Sequence, residues 1–367
     1  MVIGLLGCGV VGGGVADRVL RGPVVHGLTL SLARVLVRDL AKPRTPQSVK
    51  PHLTTSALDV MCDSKVSVIA ECIGGLEPAG EYVESALRDG KHVVTANKAL
   101  IAERGAHLSA VAAARGVALR YEAAVGGAIP VVRTLRQLVE VDEITEVGGV
   151  INGTTNFILS AMEEGAELAD ALGEAQRCGF AEADASTDLE GVDAAFKLAI
   201  LAATAFGAWP AWRSIARRGI SDVSKGDLAQ ARRDGTRLRL VAYARREKEG
   251  IAATVTPAFV PLNHPFAAPQ GVENVVRIVG RCTGPVLMAG LGAGRDATAS
   301  AVLSDVSDIA AWLAAGGRSV ARFAAPEPIR EMNTVPLALD EARGSYPIWE
   351  DVTLGHARGE IVSAAGS

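Results

Sequence analysis

Short apolar runs alternate with helix-like segments along the first part of the chain. The predicted strands are residues 2–6, 30–37, 66–72, 92–95 and 117–121, and the predicted helices between them are residues 14–20, 81–88 and 102–115. Strands that alternate with helices form a parallel sheet with helices packed on its faces. The pattern therefore predicts an α/β fold with a doubly wound parallel sheet.

After Pro130 the pattern changes. The predicted elements are a helix at 131–139, a strand at 144–151, helices at 157–171 and 191–209, β-rich runs at about 251–287 and a helix at 298–314. Because Pro and Gly separate the β-rich runs, these runs predict an antiparallel sheet. We expect an α+β arrangement here.

The first predicted strand leads into a glycine-rich loop, Gly7-Cys8-Gly9-Val10-Val11-Gly12. In this G-x-G-x-x-G pattern the first glycine permits a tight turn, and the second lets the main chain approach a pyrophosphate. The third lets the next helix pack closely on the strand, with its positive end toward the phosphates. The loop predicts a Rossmann-like dinucleotide site. The alternative is a structural turn, since 40 glycines in 367 residues produce chance matches.

The second predicted strand is followed by Arg38 and then Asp39. An acidic residue at this place binds a ribose hydroxyl of NAD, whereas an arginine accommodates the 2′-phosphate of NADP. The arginine favours NADP over NAD. The alternative is that both side chains are solvated loop charges.

These patterns together predict the domain organisation. We expect a nucleotide-binding domain at residues 1–133, completed by about 295–325, around a catalytic and dimerisation region at 134–294. The sequence assigns no role to the tail at 326–367.

Charge and cysteine content exclude several classes of protein. A net charge of −4 argues against a nucleic-acid surface. The scattered arginines are predicted to lie on solvated helix faces: Arg213, Arg217, Arg218, Arg232, Arg233, Arg237 and Arg239. The longest apolar stretch, residues 198–209, is too short to cross a bilayer, and no leader-like segment precedes the first strand. Five cysteines without a C-x-x-C pair fit reduced thiols, so we expect a cytoplasmic protein with no membrane partner.

The helix at 191–209 carries only two charges, Asp193 and Lys197, which are four residues apart and share a face. One interpretation is a surface ion pair worth about 0.3–0.5 kcal/mol. The rest of the helix is mostly apolar, however, and charges on a buried helix usually face a cleft or a partner. An acidic cluster precedes it: Glu182, Asp184, Asp188 and Glu190. The cluster could bind a hard cation or a substrate ammonium group, although its spacing is not that of an EF-hand.

Several stretches resemble homoserine dehydrogenases. They are GFAEAD at 179–184, DLEGVDAAFKLA at 188–199, TANK at 95–98, YEAAVGGAIP at 121–130, NGTTNFIL at 152–159 and GAG at 292–294 with TASAV at 298–302. The matches run in order across residues 1 to about 315, which chance cannot easily produce. The resemblance implies NAD(P)-dependent interconversion of L-aspartate 4-semialdehyde and L-homoserine, in threonine, methionine and isoleucine biosynthesis.

The resemblance also implies roles for individual residues. Lys197 would donate and accept the proton at the substrate oxygen, and Lys98 would be a second lysine beside nicotinamide and substrate. Glu182 and Asp193 would hold the substrate amino group, with Asp188 beside them and Asp193 also in the catalytic set. Hydride transfer agrees with this, because the developing alkoxide needs a cationic acid nearby.

Further ligands follow from the same resemblance. The implied cofactor residues are Gly7, Gly9, Val10, Val11, Gly12, Arg38, Ile73, Gly74, Lys98 and Gly292. A Na⁺ or K⁺ site formed largely by main-chain carbonyls is implied around Glu122, Val125, Gly127 and Ile129. A homodimer or homotetramer is expected.

The chain departs from the family pattern in three ways. Ala185 stands where the family usually has proline, so the substrate loop is expected to be less rigid, and Leu291 replaces another usual proline. Many relatives also carry a regulatory domain or an aspartate kinase that has no counterpart here. We therefore expect no threonine inhibition through such a domain.

Three other functions compete with this interpretation. Another amino-acid dehydrogenase on the same fold, such as an aspartate dehydrogenase, gives no reason for the 182–197 pattern. An acylating semialdehyde dehydrogenase needs a nucleophilic cysteine, and no cysteine here has a recognisable nucleophile context. A nucleotide-sensing protein without catalysis is disfavoured by Lys98, Asp193 and Lys197.

Overall fold

The computed structural model describes residues 1–248 and 250–316, together with the main chain of 331–332 and 334–335. Its helices are α1 (Val10–Val19), α2 (Leu58–Met61), α3 (Ala79–Arg88), α4 (Lys98–Arg115), α5 (Val131–Leu138), α6 (Gly153–Glu163), α7 (Leu168–Arg177), α8 (Ser186–Leu189), α9 (Val192–Phe206), α10 (Lys225–Arg233) and α11 (Arg295–Ala314). Short 3₁₀ turns lie at Gln47–His52, Glu122–Ala124, Trp212–Ser214 and Pro265–Ala267.

The strands follow the same order along the chain. They are β1 (Val2–Leu6), β2 (Val24–Val25), β3 (Leu28–Thr29), β4 (Ser31–Leu36), β5 (Leu53–Thr54), β6 (Val66–Glu71), β7 (His92–Thr95), β8 (Leu119–Arg120), β9 (Ile144–Val150), β10 (Trp209–Pro210), β11 (Ala216–Arg217), β12 (Thr236–Glu247), β13 (Gly250–Pro261), β14 (Glu273–Gly280), β15 (Gly284–Leu291), β16 (Glu331–Met332) and β17 (Thr334–Val335).

The amino-terminal strands form a six-stranded parallel sheet in the order β5-β4-β1-β6-β7-β8. This confirms the predicted doubly wound, Rossmann-like fold. From β1 the chain proceeds to β4 on one side and to β6 on the other. Ligands of such sheets bind at the carboxyl ends of the strands where the order reverses. A ligand is therefore expected at the edge formed by the loops after β1, β4, β6 and β7.

Helix α11 packs back on this sheet, although it follows the second region in sequence. Ala299, Val302, Val306 and Ile309 are fully buried in one cluster with residues of β1 and α1. Arg18 of α1 also donates to Ser300 Oγ at 2.6 Å. This packing supports the predicted completion of the nucleotide-binding domain as far as α11 reaches. The domain limits themselves stay a prediction, and the tail at 326–367 lies outside the described residues apart from its two short strands.

The second region contains a mixed sheet in the order β11-β13-β12-β9-β14-β15, with β17 beside β13. The pairs from β13 to β15 along this order are antiparallel, as predicted for residues 251–287. Strand β9 lies in the middle, and the Ala-rich helix α9 packs on β9, β12 and β13. The carboxyl end of β9 therefore meets the buried face of α9.

Two sequence-based predictions in this region are wrong. The helix predicted at 157–171 is two helices, because the chain turns at Gly165, whose φ of 108° ends α6 before α7 begins. Arg237 and Arg239 lie on strand β12, which the helical pattern missed. Arg239 is fully buried and donates to Glu163 Oε1 at 2.8 Å. A buried guanidinium is tolerated because a carboxylate pairs with it.

The remaining arginines predicted on solvated helix faces divide between two outcomes. Arg232 and Arg233 are exposed on α10, as expected. Arg213, Arg217 and Arg218 are exposed, but they lie in a 3₁₀ turn, on β11 and just after it. Within residues 1–248 and 250–316, no helix is long and apolar enough to cross a membrane.

Candidate active site

The glycine loop has the geometry that the G-x-G-x-x-G pattern requires. Gly7 has a φ of 93°, and a Cβ on Gly12 would lie 2.1 Å from Gly7 O. A side chain at Gly12 would break the contact between α1 and the end of β1, and one at Gly7 would lie 2.6 Å from Cys72 O, after β6. A Cβ on Gly9 would meet nothing within 4 Å, so open space adjoins the amino end of α1. The loop therefore fits a dinucleotide pyrophosphate.

The other predicted cofactor residues at this edge follow neighbouring strands. Arg38 is exposed two residues after β4, Ile73 and Gly74 follow β6, and Lys98 begins α4 after β7. Strand order thus brings these four positions to one edge of the sheet. Their contacts with a cofactor stay a prediction.

Gly292 reaches this region from the second sheet. Ala128 N donates to Leu291 O at 3.0 Å, and a Cβ on Gly127 would lie 2.5 Å from the carbonyl carbon of Gly292. The loop after β15 therefore lies against the glycine turn at 126–127. A short way on, Arg295 donates to Gly13 O at 3.4 Å, beside the glycine loop.

Asp193 joins two lysines that are far apart in sequence. Lys98 Nζ lies 2.7 Å from Asp193 Oδ1, and Lys197 Nζ lies 2.7 Å from Asp193 Oδ2. Lys197 also donates to Ile151 O at 2.9 Å, at the carboxyl end of β9. The two charges on α9 thus form an ion pair that is buried rather than on the surface, and it is part of a larger cluster between the two sheets.

Burial and charge determine the ionisation of this cluster. The Asp193 side chain is 5% exposed and that of Lys197 is 10% exposed, whereas that of Lys98 is 43% exposed. Burial raises the pKa of Asp193, but the charges of Lys197 and Lys98 outweigh it, so the pKa lies below its ordinary value. The charge of Asp193 raises the pKa of Lys98 although burial opposes this. The cluster thus holds an anion between the two lysine side chains.

Asn152 is a site residue for which the sequence analysis gave no role. Its Oδ1 accepts from Thr155 N at 2.7 Å and caps α6. Its Nδ2 donates to Asp188 Oδ1 at 2.6 Å and to Asp193 Oδ2 at 2.8 Å. The available signal was an asparagine at a predicted strand end, where a helix cap is favoured.

The acidic cluster divides into two parts. Asp188 is partly buried beside Asn152, and burial followed by the charge of Asp193 raises its pKa. Glu182 is exposed, and its charge adds to that of Asp193 in raising the pKa of Lys98. Asp184 instead accepts from Ser186 N at 3.0 Å, within its own loop. No group of three or more His, Cys, Asp or Glu in the described part of the chain is arranged for a metal ion.

The predicted monovalent-cation loop is a tight turn at the amino end of α5. Gly126 and Gly127 have φ values of 74° and 57°. The Glu122 carboxylate accepts from Val132 N at 2.9 Å and Arg133 N at 2.7 Å, so it caps α5. The main-chain carbonyl of Glu122 accepts from Val125 N at 3.2 Å within the same turn. Ile129 O likewise accepts from Val131 N at 2.8 Å, and a cation held by carbonyl oxygens of this turn stays a prediction.

Comparisons with known proteins give the same family for both parts of the chain. The family model described as "Homoserine dehydrogenase, NAD binding domain" matches residues 7–122, and that described as "Homoserine dehydrogenase" matches residues 130–307. A homoserine dehydrogenase of Bacillus subtilis is 40% identical over 309 residues, which are 83% of this chain and 71% of the relative. One from Corynebacterium glutamicum is 42% identical over 328 residues, 86% of this chain and 73% of the relative.

Solved structures are similar in fold as well. A homoserine dehydrogenase from Thiobacillus denitrificans superposes with a TM-score of 0.84 at 39% identity, covering 92% of this chain and 79% of that one. A hyperthermophilic archaeal homoserine dehydrogenase in complex with NADPH has a TM-score of 0.73 at 27% identity, covering 85% and 97% of the two chains. Matching family models over most of its length, the chain belongs to the homoserine dehydrogenase family, the oxidoreductases that its motifs resemble.

Proposed function

We propose that the chain interconverts L-aspartate 4-semialdehyde and L-homoserine with Lys197 as the acid and base at the substrate oxygen. The observation that carries this proposal is the Lys98–Asp193–Lys197 cluster at the carboxyl edge of the nucleotide-binding sheet. An ammonium group near neutral pH can donate a proton to a developing alkoxide and stabilise its charge. The place of the reaction in threonine, methionine and isoleucine biosynthesis belongs to the same proposal.

The three residues of the cluster have separate tasks. When bound, the nicotinamide cofactor supplies or accepts the hydride at the substrate carbon. In the reducing direction Lys197 gives its proton to the substrate oxygen, and in the oxidising direction it takes the proton from the hydroxyl. The more exposed Lys98 stabilises the oxyanion by charge. Asp193 orients both lysines, since each of its oxygens accepts from one of them.

Glu182 and Asp188 receive the substrate ammonium group in this proposal. Both oxygens of Asp193 are engaged by lysines, so a third cation would compete with them. Glu182 is exposed beside the cluster, and its charge reaches Lys98. An ammonium group is costly to desolvate unless a carboxylate accepts it.

Cofactor choice is expected to favour NADP. Arg38 lies exposed just beyond β4, where a guanidinium fork can bind a 2′-phosphate. The archaeal relative described above was solved with NADPH. NAD remains the second candidate cofactor, because Asp39 directly follows Arg38.

A Na⁺ or K⁺ ion is proposed at the main-chain carbonyls of Glu122, Val125, Gly127 and Ile129. The turn at Gly126 and Gly127 brings these residues together, and the Glu122 carboxylate is directed away to α5. The ion would hold the turn against Gly292. We assign it no chemical step.

Assembly into a homodimer or homotetramer is proposed through the edge strand β15. Among the described residues β15 pairs on one side only, with β14. Its outward residues are exposed and apolar: Pro285, Leu287, Ala289 and Leu291. A free apolar edge of this length favours pairing with another strand.

A cytoplasmic location likewise stays a prediction.

A turnover assay of the purified full chain tests the activity. We expect oxidation of NADPH, and more slowly of NADH, with L-aspartate 4-semialdehyde, and the reverse reaction with L-homoserine. Turnover with oxaloacetate and ammonia instead would identify an aspartate dehydrogenase. NADPH binding without turnover of either substrate would identify a non-catalytic sensor.

A further inference from the structure

Glu71 is a fully buried carboxylate at the carboxyl end of β6, outside the lysine cluster. Its Oε1 accepts from Ile73 N at 2.7 Å and from Gly74 N at 3.0 Å. Its Oε2 accepts from the Thr95 hydroxyl at 2.5 Å. The side chain therefore joins the loop after β6 to the end of β7.

The hydrogen bonds continue from Thr95 to the start of α4. Thr95 Oγ1 accepts from Asn97 N at 3.0 Å, and Asn97 Nδ2 donates to Gly75 O at 2.6 Å. Asn97 Oδ1 accepts from Leu100 N at 3.1 Å, which caps α4. Lys98 is the first residue of that helix. The two loops at 73–75 and 96–97 are thus joined by side chains at both ends.

Packing alone does not require a carboxylate at this position. A buried charge is costly unless hydrogen bonds satisfy it, and the donors found here are two amides and a hydroxyl, all neutral. What these bonds determine is geometry, because each donor fixes the direction of a loop at the edge where cofactor and substrate meet. Placement within fractions of an ångström governs rates in such sites.

We propose that Glu71 is a positioning residue that fixes, through Thr95 and Asn97, both the cofactor loop at 73–75 and the catalytic lysine Lys98. Glu71 itself touches neither substrate nor cofactor. The proposal rests on the function proposed above for Lys98. It adds a residue that lies outside the predicted site and was not identified from the sequence.

Thr95→Val and Thr95→Ser form the sharpest pair of variants. Valine keeps the shape of threonine but removes the hydroxyl, which leaves Glu71 Oε2 and Asn97 N without this partner, whereas serine keeps the hydroxyl. We expect Thr95→Val to lower kcat about 10- to 100-fold and Thr95→Ser to stay within about threefold of wild type. Thr254→Val is the matched control, because its buried hydroxyl donates to Ala216 O on the second sheet.

Glu71→Gln tests the other end of the connection. Glutamine can still accept from the two loop amides, but it cannot accept the Thr95 hydroxyl proton at its amide nitrogen. We expect a lower kcat with a small change in homoserine KM, and a smaller than additive loss when it is combined with Thr95→Val. A merely structural role would lower the melting temperature equally in Thr95→Val and Thr254→Val and leave kcat unchanged at temperatures where both are folded.

Direct titration with NADPH separates this proposal from the activity. If the wild-type chain does not turn over homoserine, the function proposal fails, while weaker NADPH binding by Glu71→Gln and Thr95→Val than by Thr254→Val would still support the positioning of the loop at 73–75. Equal kcat in the valine and serine variants together with unchanged NADPH affinity would overturn the proposal.

Discussion

At the scale of single residues, the hydrogen bonds that the Lys197 ammonium group donates explain why a charge is placed on an apolar helix. Its ammonium group donates to Asp193 and to Ile151 O, which uses two of its three N–H positions. We assign the third to the substrate oxygen. The ion pair is nearly dry, with side chains 10% and 5% exposed, so its geometry is held far more firmly than that of a surface pair.

Lys197→Met should lower kcat by about 10²–10⁴, the usual effect of losing a general acid. NADPH affinity should stay near that of wild type, because Lys197 lies on α9 and not at the glycine loop. Steady-state kinetics and NADPH titration measure the two quantities. Lys65→Met, which replaces an exposed lysine before β6, is the control. A kcat equal to that of the control would remove Lys197 from the mechanism.

Glu182→Gln should raise the homoserine KM more than it lowers kcat. The carboxylate contact with the substrate ammonium exists in the ground state and the transition state alike, so its loss weakens binding uniformly. The measurement is initial rate against homoserine concentration at fixed pH and salt. Glu190→Gln changes an exposed carboxylate at the carboxyl end of α8 and should change KM less. Unchanged KM and kcat in both variants would leave Glu182 as a solvated surface residue.

Arg38→Ala should raise the KM for NADP much more than the KM for NAD, because only NADP carries the 2′-phosphate that a guanidinium can bind. Both cofactors are titrated at saturating homoserine. Arg34→Ala removes an exposed arginine within β4 and controls for general loss of positive charge. Equal changes for NADP and NAD would contradict the assignment.

At the scale of secondary-structure elements, β15 differs from every other long strand of its sheet. Strands β9, β12, β13 and β14 are almost continuously buried, whereas alternate residues of β15 are exposed and apolar. The neighbouring strands lie in the interior of the sheet, whereas β15 is an edge strand with an exposed apolar face. Its sequence carries no charge to discourage pairing.

Leu287→Lys should shift the protein toward the monomer. Leu287 is 48% exposed in the middle of β15, and a lysine there would place two like charges close together across a paired edge. Sedimentation velocity at micromolar concentration measures the shift. Leu58→Lys is the control, since Leu58 is 69% exposed on α2, which packs on β1 and β4 of the nucleotide-binding sheet. Two variants with the same mass as wild type would contradict the role of β15.

At the scale of the whole molecule, a pair of buried acids connects α11 to the turn before α5. Glu122 N donates to Asp305 Oδ2 at 2.8 Å, while the Glu122 carboxylate caps α5. Burial, followed by the charge of Asp305, raises the pKa of Glu122 from 4.5 to about 7. Burial raises the pKa of Asp305 from 3.8 to about 6. Both acids therefore bind a proton more tightly in the folded chain than in the unfolded one.

The free energy of unfolding should accordingly contain a term that falls as pH rises. For Glu122 the folded pKa exceeds the unfolded value, so its contribution is complete below about pH 4.5 and is lost as pH rises to about 7. The loss is on the order of 3 kcal/mol at most. Urea unfolding between pH 5 and 7.5, in buffer without Na⁺ or K⁺, measures it.

Glu122→Gln should flatten this pH dependence, because the side chain no longer ionises. Glu140→Gln, an exposed glutamate after α5, should keep the wild-type slope. Identical slopes in the two variants would show that Glu122 does not carry the term.

Local sequence determined the elements and the motifs on them. The strands and helices of the nucleotide-binding domain, the glycine turn and the Asp193–Lys197 pair depend on residues within a few positions of one another, so periodicity and spacing are enough to predict them. The same reasoning failed where a local pattern was ambiguous. Arg239 lies in an arginine-rich segment whose composition is typical of a solvated helix face. Strand pairing nevertheless places it in the interior against Glu163.

Only the tertiary structure decided which of these local features meet. Lys98 reaches Asp193 because strand order and the packing of α9 bring the ends of β7 and β9 together. Asn152 and Glu71 became part of the site in the same way, through bonds to partners in other elements. The chain encodes such contacts through the burial of whole faces, and no short window of sequence contains both partners. For that reason the sequence by itself determined the fold class, the glycine loop and the helical ion pair, whereas the assembled site depended on the packing of the two sheets.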